Sequence, residues 1–231
     1  MTPWSVAEFE AELRALGERR YHHLHPFNQR MHAGDLTEEE FRGWVRNRFY
    51  YQLNLPIKDA FILTKLPGSE HRKRWIKRIT DHDGTDGAEG GIERWVRLGE
   101  SVGLTRAELH DDRTVLPGVR FAVDAYVAFC RDRPWLEAVA SAMTELFAPD
   151  LLSRRITDVR EHYPWIASEG LEYFRTRLTQ QPADIEHLLE LVLTHAETRE
   201  QQRACVRALE FKCDVLWTLL DSVQLAYGKS A

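Results

Sequence analysis

RNRFYYQLNLPIKD, residues 46–59, sets an arginine, two adjacent tyrosines and a glutamine into a run otherwise apolar enough for a buried helix. At 3.6 residues per turn, Arg48, Tyr51, Gln52, Leu55 and Asp59 share one face, while Val45, Phe49, Leu53 and Ile57 share the opposite one. The apolar stripe can meet a hydrophobic core unaided. The polar face is therefore either wetted by solvent, as in an ordinary amphipathic helix, or it lines a binding site. Pro56 predicts a kink or a new helix start, because its ring cannot join an uninterrupted hydrogen-bonded ladder.

Outward from this run the same period recurs to both ends of the chain. Residues 5–19 alternate apolar and charged groups at helical spacing, and PFNQRMHA predicts a short helix that stops at Gly34. Thr37 and Glu40 have the capping-box spacing that opens the helix containing the quoted run. Further helices are expected over Ser69–His82, Ile92–Val102, Gly118–Arg131, Trp135–Asp158, Trp165–Gln180, Ala183–Arg199 and Glu200–Tyr227. DHDGTDGAEGG, Pro117-Gly118 and Gln181-Pro182 supply the turns between them. Short apolar runs such as LLELVL lie inside longer segments with helix-forming flanks, so no strand is expected. The fold class is all-α: a compact bundle of about seven main helices, forming one domain over residues 1–231.

Composition narrows the function. A hydrophobic fraction of 43%, a charged fraction of 29% and a net charge of -5 describe an ordinary soluble globular chain. Lysines and arginines are scattered among acids, so the concentrated basic footprint of a nucleic-acid binder is missing. MTPWSVAEFEAELRALGERR lacks a continuous apolar core for a leader, and no apolar run approaches a membrane span. A cytoplasmic protein with neither nucleic-acid nor membrane partners is expected. Cys130, Cys205 and Cys213 have no paired C-x-x-C spacing and read as buried free thiols.

Polar residues interrupt apolar stripes on several other helices. Arg78 and His82 stand four apart, with His82 just before a glycine-rich turn that could form a rim; Tyr173 and Arg177 repeat the spacing. Each pair has a plain alternative, a helix-end histidine near the C-terminal dipole or an aromatic covering an arginine stem. Lys212 breaks the apolar stripe of LEFKCDVLWTLL, and an inward lysine needs an anion, since unpaired burial of charge costs several kcal/mol. Tyr126 and Glu145 are further polar groups in apolar surroundings. Together they point to a polar pocket within the bundle.

Arg48, Arg78, Arg155, Arg177 and Lys212 would suit a small molecule bearing several carboxylates, which arginine binds through paired hydrogen bonds. His82 and His22 could move protons near neutral pH, while Tyr51, Tyr126 and Tyr173 could flank a planar ring. A metal centre is the alternative for a helical bundle, but the two Glu-x-x-His pairs of a di-iron site are missing. Asp184 with His187, and Glu161 beside His162, do not complete a ligand set; Asp184 reads more simply as an acid in a first helical turn. No phosphate loop, dinucleotide glycine fingerprint or nucleophile elbow occurs.

HRKRWIKRITDHDG, PGVRFAVDAYVAF, TELFAPD and EHYPWIASEGLEYFRTRL, together with NRFYYQLNLPIKDA, closely resemble the pyrroloquinoline-quinone synthases of the TenA/PqqC family. The resemblance spans residues 15–228 with its motifs in order. It implies a haem-oxygenase-like seven-helix fold that binds no haem and forms a homodimer. It also implies an oxidase needing no metal or organic cofactor. That activity closes a ring in a tricarboxylic quinone precursor and removes eight electrons, with O2 as acceptor, hydrogen peroxide released and pyrroloquinoline quinone as product. By matching motifs, Tyr21, His22, Arg48, Gln52, Arg78, Arg155, Arg177 and Lys212 resemble substrate contacts, and His82, Tyr126, Glu145 and Tyr173 the catalytic neighbourhood. Tyr51 joins the substrate-binding set by its place on the quoted face.

The mechanism expected from both readings makes His82 the base and acid, assisted by His22 or Tyr173. Arg177 and Lys212 would stabilise negative charge on the quinone oxygens and on reduced oxygen. Leu152 stands where the family pattern is expected to carry histidine, and leucine cannot shuttle a proton. The chain's end at GKSA leads to the expectation that neither a further lid nor a fused carrier module follows. Rival readings are a thiaminase-like enzyme with Cys130 as nucleophile, a metal-dependent bundle enzyme, and a non-catalytic carrier or scaffold for a small anion.

Overall fold

The computed structural model describes residues 2–228; the last three residues of GKSA lie outside them. The order is α1 (Val6–Arg20), α2 (Pro26–Ala33), α3 (Glu38–Leu63), α4 (Ser69–Asp83), β1 (Gly84–Thr85), β2 (Ala88–Glu89), α5 (Gly91–Ser101) and α6 (Arg106–Leu109). Then come α7 (Pro117–Asp132), α8 (Trp135–Ser141), α9 (Ala148–His162), α10 (Glu172–His195) and α11 (Arg199–Tyr227). The fold is an all-α bundle, but with ten helices of seven residues or more among the described residues rather than seven.

Local chemistry explains most boundaries. Ser5 with Glu8, Thr37 with Glu40 and Thr198 with Gln201 form reciprocal capping boxes at the starts of α1, α3 and α11. Gly34 ends α2 in the left-handed region, at φ 81°, where an L side chain is disfavoured. The glycine-rich turn after His82, expected as a simple loop, is a minimal antiparallel hairpin pairing Gly84 with Glu89 and Thr85 with Ala88.

Two expected helices resolve differently. Trp135–Asp158 is not one helix: a 3₁₀ stretch, Ala142–Phe147, separates α8 from α9 and carries Glu145. Conversely, Gln181-Pro182 is no turn. Helix α10 runs through Pro182, as α3 runs through Pro56, so both prolines are tolerated inside long, tertiary-supported helices.

The core is one continuous cluster drawing on every long helix, from Phe9 and Leu13 of α1 to Leu219 and Val223 of α11. Cys130, Cys205 and Cys213 are free and buried within this packing. Among the described residues no helix is long and apolar enough to cross a membrane.

Candidate active site

On α3 the question posed by the quoted run is answered by burial. Tyr51, Gln52, Leu55 and Asp59 are all inside the bundle, whereas Ile57 of the supposed core stripe is 48% exposed. The polar face looks into a cavity of about 90 Å³ between α3, α4, α9, α10 and the 3₁₀ segment. Ten of the expected site residues border it: Tyr21, His22, Arg48, Tyr51, Gln52, His82, Glu145, Arg155, Tyr173 and Arg177. The remaining three stand behind its wall. Lys212 donates to the Tyr51 hydroxyl at 2.8 Å and lies 3.5 Å from the centre of the Tyr126 ring. Arg78 stacks on Trp75 at 4.8 Å and reaches three carboxylates. Lys212, Arg78 and Tyr126, expected as site residues, thus do not line the cavity itself; they contact side chains that do.

A charge network holds the wall nearest α4 and α10. Arg78 is ion-paired to Glu145, with Asp59 at 3.7 Å and Asp184 at 3.6 Å. Arg177 lies 3.3 Å from Asp184 and 3.7 Å from Glu145. Lys58 and Asp59, both nearly inaccessible, pair at 2.6 Å. Burial works to raise the Glu145 carboxyl, but Arg78, Arg177 and Lys58 outweigh it and leave it below the usual range. For Asp184 burial prevails, and its carboxyl is raised. Six basic side chains, Arg48, Lys58, Arg78, Arg155, Arg177 and Lys212, thus gather against three carboxylates, and the interior has cationic charge to spare.

The titrating groups are set by the same surroundings. His82 is pushed well below its ordinary value by burial and by Arg177, Lys58 and Arg78, so it is a neutral imidazole at pH 7. Its Nδ1 is buried without a hydrogen-bond partner among the described residues. Gly91 leaves room for the ring, since a Cβ there would come within 3.2 Å of that nitrogen. His22 is likewise lowered, by burial and then by Arg48, Arg155 and Lys212. Burial raises the Tyr173 phenol, which donates to Gln52 Oε1 at 3.0 Å. Arg155 is lowered to about 10 by burial and by Arg48 and remains a cation at neutral pH. Burial, with Arg48 and Lys58 adding, pushes the Lys212 ammonium well below its ordinary value.

The lining residues Lys58 and Gln181, and the part Asp184 plays in the charge network, escaped the sequence reading. Lys58 sits on the same α3 face as Leu55 and differs from Asp59 by one position, so helical spacing could have found it. Gln181 and Asp184 continue the Tyr173–Arg177 stripe of α10, a signal hidden by treating Pro182 as a stop. Asp184 is therefore a mid-helix, buried partner of two arginines and not a first-turn acid. His187 faces His71, with ring nitrogens 3.3 Å apart. Among the described residues no three His, Cys, Asp or Glu side chains are arranged to hold a metal ion. Cys130 is wholly buried beside Ser141, outside the cavity lining, and burial raises its thiol, so it is no nucleophile for the thiaminase-like reading. Leu152 is a cavity wall residue on an unbroken α9.

Fold and site together define the class. The chain belongs to the TENA/THI-4/PQQC family, whose pattern matches residues 10–222. Within that family its similarity to particular members is high. It is 53% identical over 227 residues to the pyrroloquinoline-quinone synthase of Ectopseudomonas mendocina, covering 98% of this chain and 89% of that one. To the pyrroloquinoline-quinone synthase of Cronobacter sakazakii it is 53% identical over 95% of this chain and 87% of the relative. Among solved structures it resembles a haem-oxygenase-like domain of unknown function from Shewanella denitrificans, with TM-score 0.78 at 13% identity over 98% of this chain and 97% of that one. A TenA homologue from P. horikoshii gives TM-score 0.70 at 15% identity, covering 93% and 99%. The fold is therefore haem-oxygenase-like.

Proposed function

We infer that this protein is an oxidase that carries out the last step in making pyrroloquinoline quinone: ring closure and eight-electron oxidation of a tricarboxylic quinone precursor, with O2 as acceptor. The observation that carries the reading is the buried excess of cations around a cavity lined by aromatic hydroxyls and neutral imidazoles, in a chain 53% identical to enzymes of that name.

In the mechanism we favour, Arg48, Arg155 and Arg177 hold the substrate carboxylates and offset their mutual repulsion. His82, neutral before binding, accepts a proton from the substrate as electrons leave. Each electron pair delivered to O2, with two protons, makes one molecule of hydrogen peroxide. Fixed cations in a site shielded from water favour the anions that form on the way. Tyr173 and Gln52 orient a substrate oxygen. The substrate is its own redox centre, and we propose that neither metal nor organic cofactor takes part.

Oxygen uptake by chelator-treated protein, followed alongside the spectrum of the ring-open precursor, tests this. Uptake that tracks closed quinone, and is lost in His82→Ala with binding retained, is the expected result. Tight binding without uptake would instead favour an anion carrier. Restored uptake on adding a metal would overturn the cofactorless part alone.

We also propose a cytoplasmic homodimer. Three free, buried cysteines suit a reducing compartment. Phe121 of α7 and Leu225 of α11 are 76% and 88% exposed on adjacent helices, apolar side chains that a second copy would cover. A monomer in sedimentation at micromolar concentration would refute the dimer.

A further inference from the structure

Behind the cavity, on the side away from the carboxylate network, Asn28 of α2 is completely buried and joins two lining residues. Its Nδ2 lies 2.7 Å from the main-chain oxygen of His22 and 3.1 Å from His22 Nδ1. Its Oδ1 accepts from Arg155 Nη2 at 2.9 Å. We propose that Asn28 is a positioning residue of this site, which locks His22 in the tautomer carrying its proton on Nε2 and ties that imidazole to the carboxylate-binding Arg155.

The amide's orientation follows from its neighbours. Guanidinium can only donate and a peptide oxygen can only accept, so Oδ1 must face Arg155 and Nδ2 must face the His22 carbonyl. An NH2 group has two hydrogens. With one given to the carbonyl, the other points at His22 Nδ1, which must then offer a lone pair. A neutral imidazole with Nδ1 unprotonated carries its hydrogen on Nε2. Burial and the cations Arg48, Arg155 and Lys212 keep His22 neutral. Nε2 has no protein partner among the described residues, and His22 lines the cavity.

Local backbone makes the arrangement possible. His22–Leu24 is a single 3₁₀ turn, and His25 caps α2 by accepting from the Phe27 amide at 3.0 Å while its Nε2 meets Asp221 at 3.0 Å. The chain thereby doubles back so that Asn28 reaches a residue six positions earlier. His22 consequently presents an N–H donor to the substrate, suited to a carboxylate or quinone oxygen. Its Nε2 does not accept protons, which departs from the expectation that His22 assists proton movement and leaves that work to His82 and Tyr173.

This inference rests on the substrate reading of the cavity, but its first test does not. In protein labelled with 15N at histidine, long-range 1H–15N correlations report the tautomer without substrate, and His22→Gln identifies the resonances. An Nε2–H pattern for His22 is expected; an Nδ1–H pattern overturns the proposal whether or not the protein turns over precursor. In Asn28→Asp the carboxylate accepts from Nδ1–H, so the tautomer should flip. With precursor, kcat/KM should then fall about a hundredfold, as when one preorganised donor is removed, and its pH profile should gain a new ionisation. A flipped tautomer with kcat/KM within twofold of the parent would refute the positioning role, as would a large loss of rate with the tautomer unchanged. Absence of turnover in the parent protein would sink the functional reading while leaving the tautomer result intact.

Discussion

Lys212 and Tyr51 are joined by a buried hydrogen bond of 2.8 Å that places an ammonium behind the aromatic wall of the cavity. The tyrosine hydroxyl is the acceptor, so Tyr51→Phe strands the lysine. We expect a stability loss of about 1–3 kcal/mol in urea unfolding, the cost of a buried donor left unmade. Lys212→Met keeps the packed stem and removes the charge, and is expected to lose less stability than Tyr51→Phe. The reverse ranking would show that Tyr51 is not what satisfies Lys212.

His82 should change its proton affinity when the cavity fills. It is held neutral because burial acts together with Arg177, Lys58 and Arg78. A tricarboxylate offsets those charges, so the pKa of His82 rises on binding. Binding then takes up protons, and affinity weakens as pH rises through the His82 pKa of the complex. Calorimetry with pyrroloquinoline quinone in two buffers of different ionisation enthalpy measures the uptake. His82→Gln should abolish it, and equal heats in both buffers for the parent protein would contradict the prediction.

Removing the Glu145 carboxylate should separate stability from affinity. Glu145→Gln leaves Arg78 and Arg177 with less compensation, and unfolding free energy is expected to fall by about 3 kcal/mol. The same change makes the cavity more cationic, so pyrroloquinoline quinone should bind roughly tenfold tighter. Parallel losses of both properties would mean that Glu145 chiefly shapes the 3₁₀ segment.

Acid should weaken the fold through its buried histidines. Burial, aided for His32 by Arg155 and for His187 by Arg74, lowers each to about 4 from the ordinary 6.5 of an imidazole. Between those limits the unfolded chain holds more protons than the folded one, so stability is fully present above pH 6.5 and declines as pH falls toward 4. His22 and His82 act in the same direction. Asp184, raised by burial, opposes them as a single carboxyl. Urea midpoints should therefore drop steadily from pH 7 to 5, and His32→Asn or His187→Asn should flatten the slope.

Most of the site was legible because helical spacing survives translation into geometry. Arg48, Tyr51 and Gln52 point the same way in sequence and in space, and Tyr173 with Arg177 does likewise. Motif resemblance supplied residues that spacing could not connect, such as Tyr21. The failures have physical causes. Pro182 was given its propensity in an isolated helix, whereas packing of α10 against the bundle holds the helix together across it. The 3₁₀ segment Ala142–Phe147 left no mark because its residues are ordinary helix formers; its winding belongs to the packing around it, with the Phe147 ring seated against Gly17 where any Cβ would collide. Asn28 offered no periodic signal, since its partners come from a turn and from a helix more than a hundred residues away.

Pro56 and Pro182 each delete one main-chain donor, and with it the rung that would tether the carbonyl four residues earlier, at Gln52 and at Leu178. Gln52 borders the cavity, and Leu178 immediately follows Arg177, which also borders it. Both long helices that frame the charged interior therefore lack one hydrogen-bond rung about a turn from cavity-lining groups. Each carbonyl so released keeps a lone pair that the helix does not claim, an acceptor written into the backbone before any side chain is counted.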